Sequence, residues 1–195
     1  MASTIEKIKQ LREETAAGMM DVKKALEESG GEIDGARKLL RERGQAIAAK
    51  KSARETNEGL VDSYIHFNGR LGVLIEVNCE TDFVARTDEF KRLVRDVAMH
   101  VASTDPLCVA PEDIPQEARE QERALYEKQA QEMGKPEQVT RSIVEGKMNK
   151  WESSQALLTQ EFVKDPDQTV GQLIEAAIGK IGENINVRRF IRYEL

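Results

Sequence analysis

The segment that decides the fold class of this chain is Asn78-Cys79-Glu80-Thr81-Asp82-Phe83-Val84-Ala85-Arg86, where a strand pattern gives way to a helix pattern. An alternating apolar run precedes this segment, and a strongly periodic helix pattern follows it. Asp82 and Phe83 therefore stand at a corner between a strand and a helix, where an acid and an aromatic ring can project as a probe for a partner. The other interpretation, which spacing alone favours, makes Phe83 the first core residue of the helix.

The segments on either side of this corner predict a β-hairpin and a long helix. Residues 60–67 form the first strand pattern, and Asn68-Gly69 is a strong signal for a tight hairpin turn. Apolar residues then alternate along the return strand at Leu71, Val73, Ile75 and Val77. Beyond Thr87 the apolar positions follow the helical period at Phe90, Leu93, Val94, Val97, Ala98 and Val101.

The C-terminal half predicts three further helices and one more strand. Residues 115–155 are highly charged and divide into two helices at Gly134-Lys135-Pro136. We expect a narrow apolar seam between them, formed by Met133, Val139, Ile143 and Trp151. A second core helix runs from Val170 to Gly182, and a final strand covers residues 185–193. The pattern predicts an α+β fold, in which a small antiparallel three-stranded sheet packs with helices.

The first 45 residues predict a separate module of three short helices. Ser3, Asp21 and Asp34 stand where each helix can be capped, and we expect the third helix to end before Gly44. Ile5, Ile8 and Leu11 recur on one face of the first helix. A module this small is better suited to binding than to enclosing a catalytic pocket. We divide the chain into a three-helix binding module (1–45), a helical linker (46–58) and an α+β core and dimerisation domain (59–195).

Composition excludes several classes of protein. The 195 residues include 39% hydrophobic and 33% charged residues, and no apolar run approaches the length of about 20 that spans a bilayer. The N-terminus lacks a basic segment followed by an apolar one, so we expect no signal peptide. Net charge is −6. Residues 1–57 carry 12 basic and 10 acidic residues, which is too weak a positive balance to indicate direct nucleic-acid binding.

The sequence contains no recognisable catalytic or metal-binding motif. It has no phosphate-binding glycine loop, no nucleophile elbow and no zinc-binding helix motif. Cys79 with His66 or His100 is a weak candidate for a thiol enzyme, because Cys79 ends a buried strand. We expect both cysteines, Cys79 and Cys108, to be reduced thiols, and we expect no metal and no cofactor.

Four segments of the chain resemble motifs of the translation elongation factor Ts family. They occur in the family's order and extend over nearly the whole sequence. The segments are residues 15–26 (Thr-Ala-Ala-Gly-Met-Met-Asp-Val-Lys-Lys-Ala-Leu), residues 46–51 (Ala-Ile-Ala-Ala-Lys-Lys), residues 78–86, and residues 181–185 (Ile-Gly-Glu-Asn-Ile) followed by Arg188-Arg189-Phe190.

The resemblance implies a non-catalytic guanine-nucleotide exchange factor for elongation factor Tu, the GTPase that delivers aminoacyl-tRNA. It implies that the N-terminal module is ubiquitin-associated-like. It also implies that Thr81, Asp82, Phe83 and Val84 dislodge the Mg²⁺ ion of the GTPase, with Phe83 as the wedge. The positions that match partner-binding residues of the family, at its nucleotide-binding domain, are Arg12, Met19, Met20, Lys23 and Lys51.

The resemblance further implies a cytoplasmic homodimer, because this chain has room for only one core subdomain. We expect pairing through the sheet or the terminal strand. Ile191 stands where some short members have a cysteine, so a disulfide between subunits is impossible there. Three other functions stay open at this point: an adaptor without exchange activity, a thiol enzyme that uses Cys79, and RNA binding by residues 50–54.

Overall fold

A computed structural model describes residues 3–15, 17–134 and 136–195 of the chain. Ala16, in the first family motif, and Lys135, in the predicted helix break, lie outside the described residues. The elements in chain order are α1 (Thr4–Thr15), α2 (Met19–Glu28), α3 (Ile33–Lys51), β1 (Glu58–Ile65), β2 (Leu71–Cys79), α4 (Asp82–Ala85), α5 (Asp88–Thr104), α6 (Gln116–Glu132), α7 (Glu137–Gln155), β3 (Glu161–Phe162), β4 (Asp165–Thr169), α8 (Val170–Ile181) and β5 (Ile185–Glu194).

These elements form a three-stranded sheet in the order β1-β2-β5 and a separate pair, β3-β4. The chain divides into two compact units. The first contains Met1–Asp62, Ile75–Asp96 and Gln172–Arg188, and the second contains Ser63–Leu74, Val97–Gly171 and Arg189–Leu195. The predicted α+β class, with N-terminal helices followed by an antiparallel three-stranded sheet, is confirmed.

The N-terminal helices of the first unit share a small apolar core. Its buried members are Leu11, Val22, Ala25, Leu26, Ala36 and Leu40. Ser3 and Glu6 form the expected reciprocal cap of α1, since the Ser3 N–H donates to Glu6 Oε2 at 2.6 Å and the Glu6 N–H donates to Ser3 Oγ at 3.3 Å. The prediction that Ile5 belongs to the core face was wrong, because Ile5 lies in the first turn and is 69% exposed.

The starts of α2 and α3 differ from the predicted caps. Both helices begin before the aspartates, with Gly18 and Glu32 at their N-cap positions. Asp21 and Asp34 instead lie in the first helical turn, where a negative charge interacts favourably with the helix dipole.

The third helix does not end before Gly44 as predicted but continues to Lys51. Its passage through Gly44 has a packing reason. A Cβ atom added to Gly179 of α8 would lie at an ordinary van der Waals distance, 3.6 Å, from the Gly44 Cα atom, so α3 packs next to α8 at this point. Tertiary packing therefore overrides the weak helix preference of glycine at this position.

The sheet of the first unit also depends on one close approach of backbone to backbone. Gly59 in β1 has a φ of +157°, and a Cβ atom there would lie 2.4 Å from the carbonyl oxygen of Val77 in β2. Any larger side chain would force the two strands apart. Ile75 and Val77 of β2 and Ile185 and Val187 of β5 are buried, as their alternation predicts.

In the second unit, α6 and α7 form the predicted charged helical pair. Gly134, with a φ of +62°, follows the end of α6. The apolar seam contains Ala130, Val144 and Met148, with Tyr126, Ile143 and Trp151 packed against them. Ile143 and Trp151 thus belong to it as expected. Met133 and Val139 do not, because Met133 follows the end of α6, Val139 lies in the first turn of α7, and they are 49% and 42% exposed.

A buried polar network in the second unit was not predicted. His100 of α5 is fully buried, and its Nε2 lies 2.9 Å from Gln160 Oε1. The Val163 N–H donates to His100 Nδ1 at 3.2 Å, so the ring is neutral with its proton on Nε2. Gln160 in turn donates to the Ser154 carbonyl at 2.7 Å. The network joins α5 to the end of α7 and to the β3-β4 hairpin.

Candidate functional site

The corner after β2 is a single turn of helix held by its own cap. Thr81 is extended, with φ −130° and ψ 152°, and its side-chain oxygen accepts a hydrogen bond from the Val84 N–H at 3.4 Å. The four-residue helix α4 (Asp82–Ala85) follows. Because so short a helix is unstable by itself, its position depends on the contacts of the residues around it.

Phe83 projects from this corner into solvent. Its side chain is 80% exposed, whereas Ala85 is the buried residue of α4 and Phe90 is the first fully buried residue of α5. The interpretation of Phe83 as a core residue was therefore wrong. Helical spacing could not reveal this, because a separate short helix and a turn intervene before α5 begins at Asp88.

The two neighbours of Phe83 have different environments. Asp82 is partly exposed and forms an ion pair with Arg86 one turn later, with 2.8 Å between the two side chains. Val84 is half-buried. The sequence-predicted site residues 81–84 thus form one continuous surface feature, in which the aromatic ring is the most exposed group.

A carboxylate from the far end of the sequence holds the corner in place. Glu183 Oε2 accepts hydrogen bonds from the backbone N–H groups of Glu80, at 3.1 Å, and Thr81, at 3.0 Å. The Thr81 hydroxyl donates to Glu183 Oε1 at 2.6 Å. These three bonds span more than 100 residues of sequence and attach the start of β5 to the corner.

Glu80, which directly precedes Thr81, also connects the corner to the segment before β5. Its Oε1 accepts a hydrogen bond from the Asn184 N–H at 2.6 Å and lies 3.3 Å from the Arg54 guanidinium. The Asn184 N–H, and secondarily Arg54, lower the pKa of the Glu80 carboxyl. We refer to Lys51, Arg54, Glu80, Gly182, Glu183 and Asn184 as the clasp.

The clasp includes the end of α3. Asn184 is buried, and its side-chain amide donates to the Arg54 carbonyl at 2.8 Å. The Lys51 ammonium donates to the carbonyl of Gly182. Of the sequence-predicted partner-binding residues, Lys51 is therefore occupied inside the chain, so any contact of its ammonium with a partner must share or replace this bond.

The other partner-binding candidates lie on the N-terminal helices. Arg12 is exposed near the end of α1. Met19 and Met20 open α2 and are 57% and 75% exposed, and Lys23 lies one turn further along, 3.9 Å from Glu27. Met19 and Lys23 are spaced to share one helix face. The structure brings Met19, Met20 and Lys23 together, whereas Arg12 belongs to a different helix.

The chemistry around Cys79 does not favour a thiol enzyme. Cys79 is buried and donates to the Thr81 carbonyl at 3.2 Å. Burial, followed by the charge of Glu183, raises the pKa of the thiol to about 11, which keeps it protonated at neutral pH. Cys79 and Cys108 are both free thiols, as expected.

The described residues contain neither a metal-binding cluster nor a membrane-spanning helix. Among residues 3–15, 17–134 and 136–195, no group of three His, Cys, Asp or Glu side chains is placed to hold a metal ion. No helix within these ranges is both long and apolar enough to cross a bilayer.

Comparison with known proteins identifies the family. The model of the family described as "Elongation factor TS" matches residues 2–195. The elongation factor Ts of Rubrobacter xylanophilus is 69% identical over 195 residues, which is 100% of both chains. Those of Carboxydothermus hydrogenoformans and Thermoanaerobacter sp. are 53% and 52% identical, covering 98% and 96% of this chain and 88% and 92% of their own.

The chain belongs to the elongation factor Ts family. It is accordingly a nucleotide exchange factor for elongation factor Tu and not an enzyme. Three of the four elongation factor Ts motifs noted in the sequence meet in the clasp, namely residues 46–51, 78–86 and 181–185.

Sequence reasoning assigned no role to Glu183 or Glu80. The only signal was that Glu183 and Asn184 belong to a motif directly after a helix-ending glycine. No periodicity links them to the corner, because the contact is made between segments about 100 residues apart.

Proposed function

We propose that Phe83 is the wedge through which this chain releases GDP from elongation factor Tu. The ring inserts into an apolar slot of the nucleotide-binding domain, close to the bound Mg²⁺, and Asp82 fixes its approach. Thr81 and Val84 shape the corner. The observation that carries the proposal is an aromatic ring 80% exposed on a corner braced by hydrogen bonds.

The proposal has a simple physical basis in the partner. A GTPase holds its nucleotide through phosphate contacts and a bound Mg²⁺. Because Mg²⁺ demands near-ideal octahedral geometry, a small displacement of its ligands weakens its binding strongly. Loss of the ion and of the phosphate contacts then lets GDP leave. No covalent bond is made or broken.

The thermodynamic logic is negative coupling between two ligands of one GTPase. Factor and nucleotide each weaken the binding of the other by the same factor, so the ternary complex loses either one rapidly. The direction of exchange is then set by the relative concentrations of GDP and GTP. The factor accelerates reloading with GTP without choosing it.

The N-terminal module supplies affinity in this mechanism. Exposed thioethers at Met19 and Met20 offer an adaptable apolar contact, and Lys23 and Arg12 supply positive charge. Lys51 joins them if its bond to Gly182 is exchanged for one to the partner. We expect the contact to be made with the nucleotide-binding domain, in the cytoplasm where translation proceeds.

We also propose that the chain works as a noncovalent homodimer. In the second unit, sheet residues present exposed apolar side chains, at Ile65 and Leu74 and at Ile191 and Tyr193 of β5. Ile191 and Tyr193 share one face of the strand.

The oligomeric state tests this proposal. Light scattering should give a mass near twice 21.9 kDa for the wild type, and Ile191→Asp should halve this mass. A monomeric wild type would contradict pairing.

The experiment that tests the wedge is release of labelled GDP from elongation factor Tu in the presence of excess unlabelled nucleotide. Phe83→Ala should lower kcat/KM for exchange roughly 100-fold, as expected for an aromatic anchor worth about 3 kcal/mol. Stability should be unchanged, because the ring is exposed in the free chain.

The matched control is Phe67→Ala. Phe67 is 93% exposed in the turn between β1 and β2, so this variant removes an equally exposed ring that belongs to the second unit. It should keep full exchange activity. If Phe83→Ala also keeps it, the wedge lies elsewhere. An adaptor without exchange activity would fail to accelerate release even as the wild type.

A further inference from the structure

The wedge depends on a carboxylate that lies 102 residues beyond Thr81 in the sequence. Both oxygens of Glu183 are used, Oε2 by the N–H groups of Glu80 and Thr81 and Oε1 by the Thr81 hydroxyl. The same hydroxyl oxygen accepts from the Val84 N–H. Through Thr81, Glu183 is thus linked to the chain before Phe83 and, by way of the cap, to Val84 after it.

The carboxylate is held rigidly. Gly182 ends α8 with a φ of +89°, a conformation that favours glycine, and its carbonyl accepts from Lys51. On the other side, the buried Asn184 bonds to Glu80 and to the Arg54 carbonyl. Glu183 therefore lies between two anchored residues, Gly182 and Asn184. Its own position is fixed by these neighbours, so it can determine the position of the corner.

The short helix α4 needs such an imposed position. Its four residues cannot maintain their own direction, and the only buried side chain of α4 is the small Ala85, while Phe83 is 80% exposed. The bonds to Thr81 determine where the helix starts and, through the cap, the direction in which the ring points. A misplaced wedge loses contact with its slot even when the chain is fully folded.

We infer that Glu183 is a positioning residue for exchange, which fixes the orientation of Phe83 by holding the Thr81 cap. This inference rests on the proposed function of Phe83 as the wedge. Exposed charged networks add little to the stability of a fold. Loss of Glu183 should therefore reduce exchange far more than it reduces folding stability.

The test compares Glu183→Ala, Glu183→Gln and a control, Glu89→Ala, in the GDP-release assay. Glu183→Ala removes all three bonds and should lower kcat/KM on the order of tenfold. Glu183→Gln keeps one acceptor oxygen and the side-chain volume, so it should recover part of this loss. Glu89 of α5 pairs with Lys180 of α8 in the same unit. It belongs neither to residues 81–84 nor to the clasp, and its variant should exchange normally.

A double-mutant cycle separates positioning from a general structural effect. If Glu183 acts only through Phe83, Glu183→Ala should cause no further loss in a Phe83→Ala background. Equal losses in both backgrounds would overturn the inference, and so would normal exchange by Glu183→Ala. Should Glu183→Ala fail to fold, Glu183→Gln takes its place in the cycle with a smaller expected loss, about threefold.

The cycle also distinguishes failure of this inference from failure of the proposed function. Full exchange by Phe83→Ala would refute the wedge, and the positioning role with it. Loss of exchange in Phe83→Ala, together with an unaffected Glu183→Ala, would leave the wedge in place and refute only the role of Glu183.

Discussion

Two polar networks join distant parts of the sequence, and they differ in burial. The clasp in the first unit connects the end of α3, the corner and the start of β5 through groups that are mostly exposed or half-buried. The network in the second unit connects α5, the end of α7 and the β3-β4 hairpin through His100, which is fully buried.

This difference separates two tasks that hydrogen bonds perform in one chain. Water can replace a broken bond at the exposed clasp, so the clasp contributes mainly geometry. Water cannot reach the groups left behind when a buried partner is removed, so the His100 network contributes mainly stability. We therefore expect changes in the clasp to affect exchange, and changes in the buried network to affect folding.

The largest expected effect is the loss of stability in His100→Ala. The change removes a buried ring and leaves the Val163 N–H without its acceptor, and Gln160 without one of its donors. We expect about 3 kcal/mol lower free energy of unfolding, measured by urea denaturation. The folded fraction should still exchange GDP at the wild-type rate. A cost below about 1 kcal/mol would show that the network does not stabilise the fold.

The next effect is a dependence of stability on pH. Burial lowers the pKa of His100 below its ordinary 6.5, so below pH 6.5 the unfolded chain binds a proton that the folded chain excludes. The free energy of unfolding should therefore fall as pH decreases from 6.5 towards the folded pKa, by at most about 1.4 kcal/mol per pH unit. Urea denaturation between pH 7 and 5 measures this slope.

Two variants test whether the pH dependence of stability comes from His100. His100→Gln removes the titrating group and should flatten the slope. His66→Gln removes the other histidine of the chain, which lies beside Tyr64 at the hairpin, and serves as the matched control. If the slope persists in His100→Gln, other titrating groups cause the pH dependence, and the prediction for the buried network is wrong.

The sequence predicted the parts of the fold that rest on long periodic patterns. The helix α5, the alternation of Val73, Ile75 and Val77 in β2 and the start of β5 agree with the structure, because these apolar residues are buried. Ile191 and Tyr193 at the end of β5 are exposed instead. The short strands β3 and β4 had no such pattern. β4 consists of Asp165-Pro166-Asp167-Gln168-Thr169, which reads as a loop, and the hairpin is tied to α5 by long-range bonds to His100.

The sequence predicted the position of the candidate site but not the hydrogen bonds that support it. The corner at residues 81–84 was found from the junction between two patterns, and the family resemblance then raised Phe83 above the interpretation as a core residue. Its support was not found, because Glu183 reaches Thr81 across 102 residues. Hydrogen bonds between distant segments leave no periodic trace in a sequence.

The smallest expected effect on exchange, and the sharpest contrast with His100, belongs to Thr81→Val. Valine keeps the shape and the extended backbone of Thr81 but removes the hydroxyl that caps α4 and donates to Glu183. Loss of this exposed cap should cost about 1 kcal/mol or less. Exchange should nevertheless fall about threefold, because one of the three bonds to Glu183 and the bond to the Val84 N–H are lost together.

Ser3→Ala is the matched control for Thr81→Val. The Ser3 hydroxyl accepts from the Glu6 N–H at 3.3 Å at the start of α1, so its loss removes a comparable exposed cap outside the corner. It should cost similar stability and leave GDP release unchanged. Equal losses of exchange in the two variants would mean that the exposed network has no special role in orienting the wedge. The division between a clasp that supplies geometry and a buried network that supplies stability would then fail.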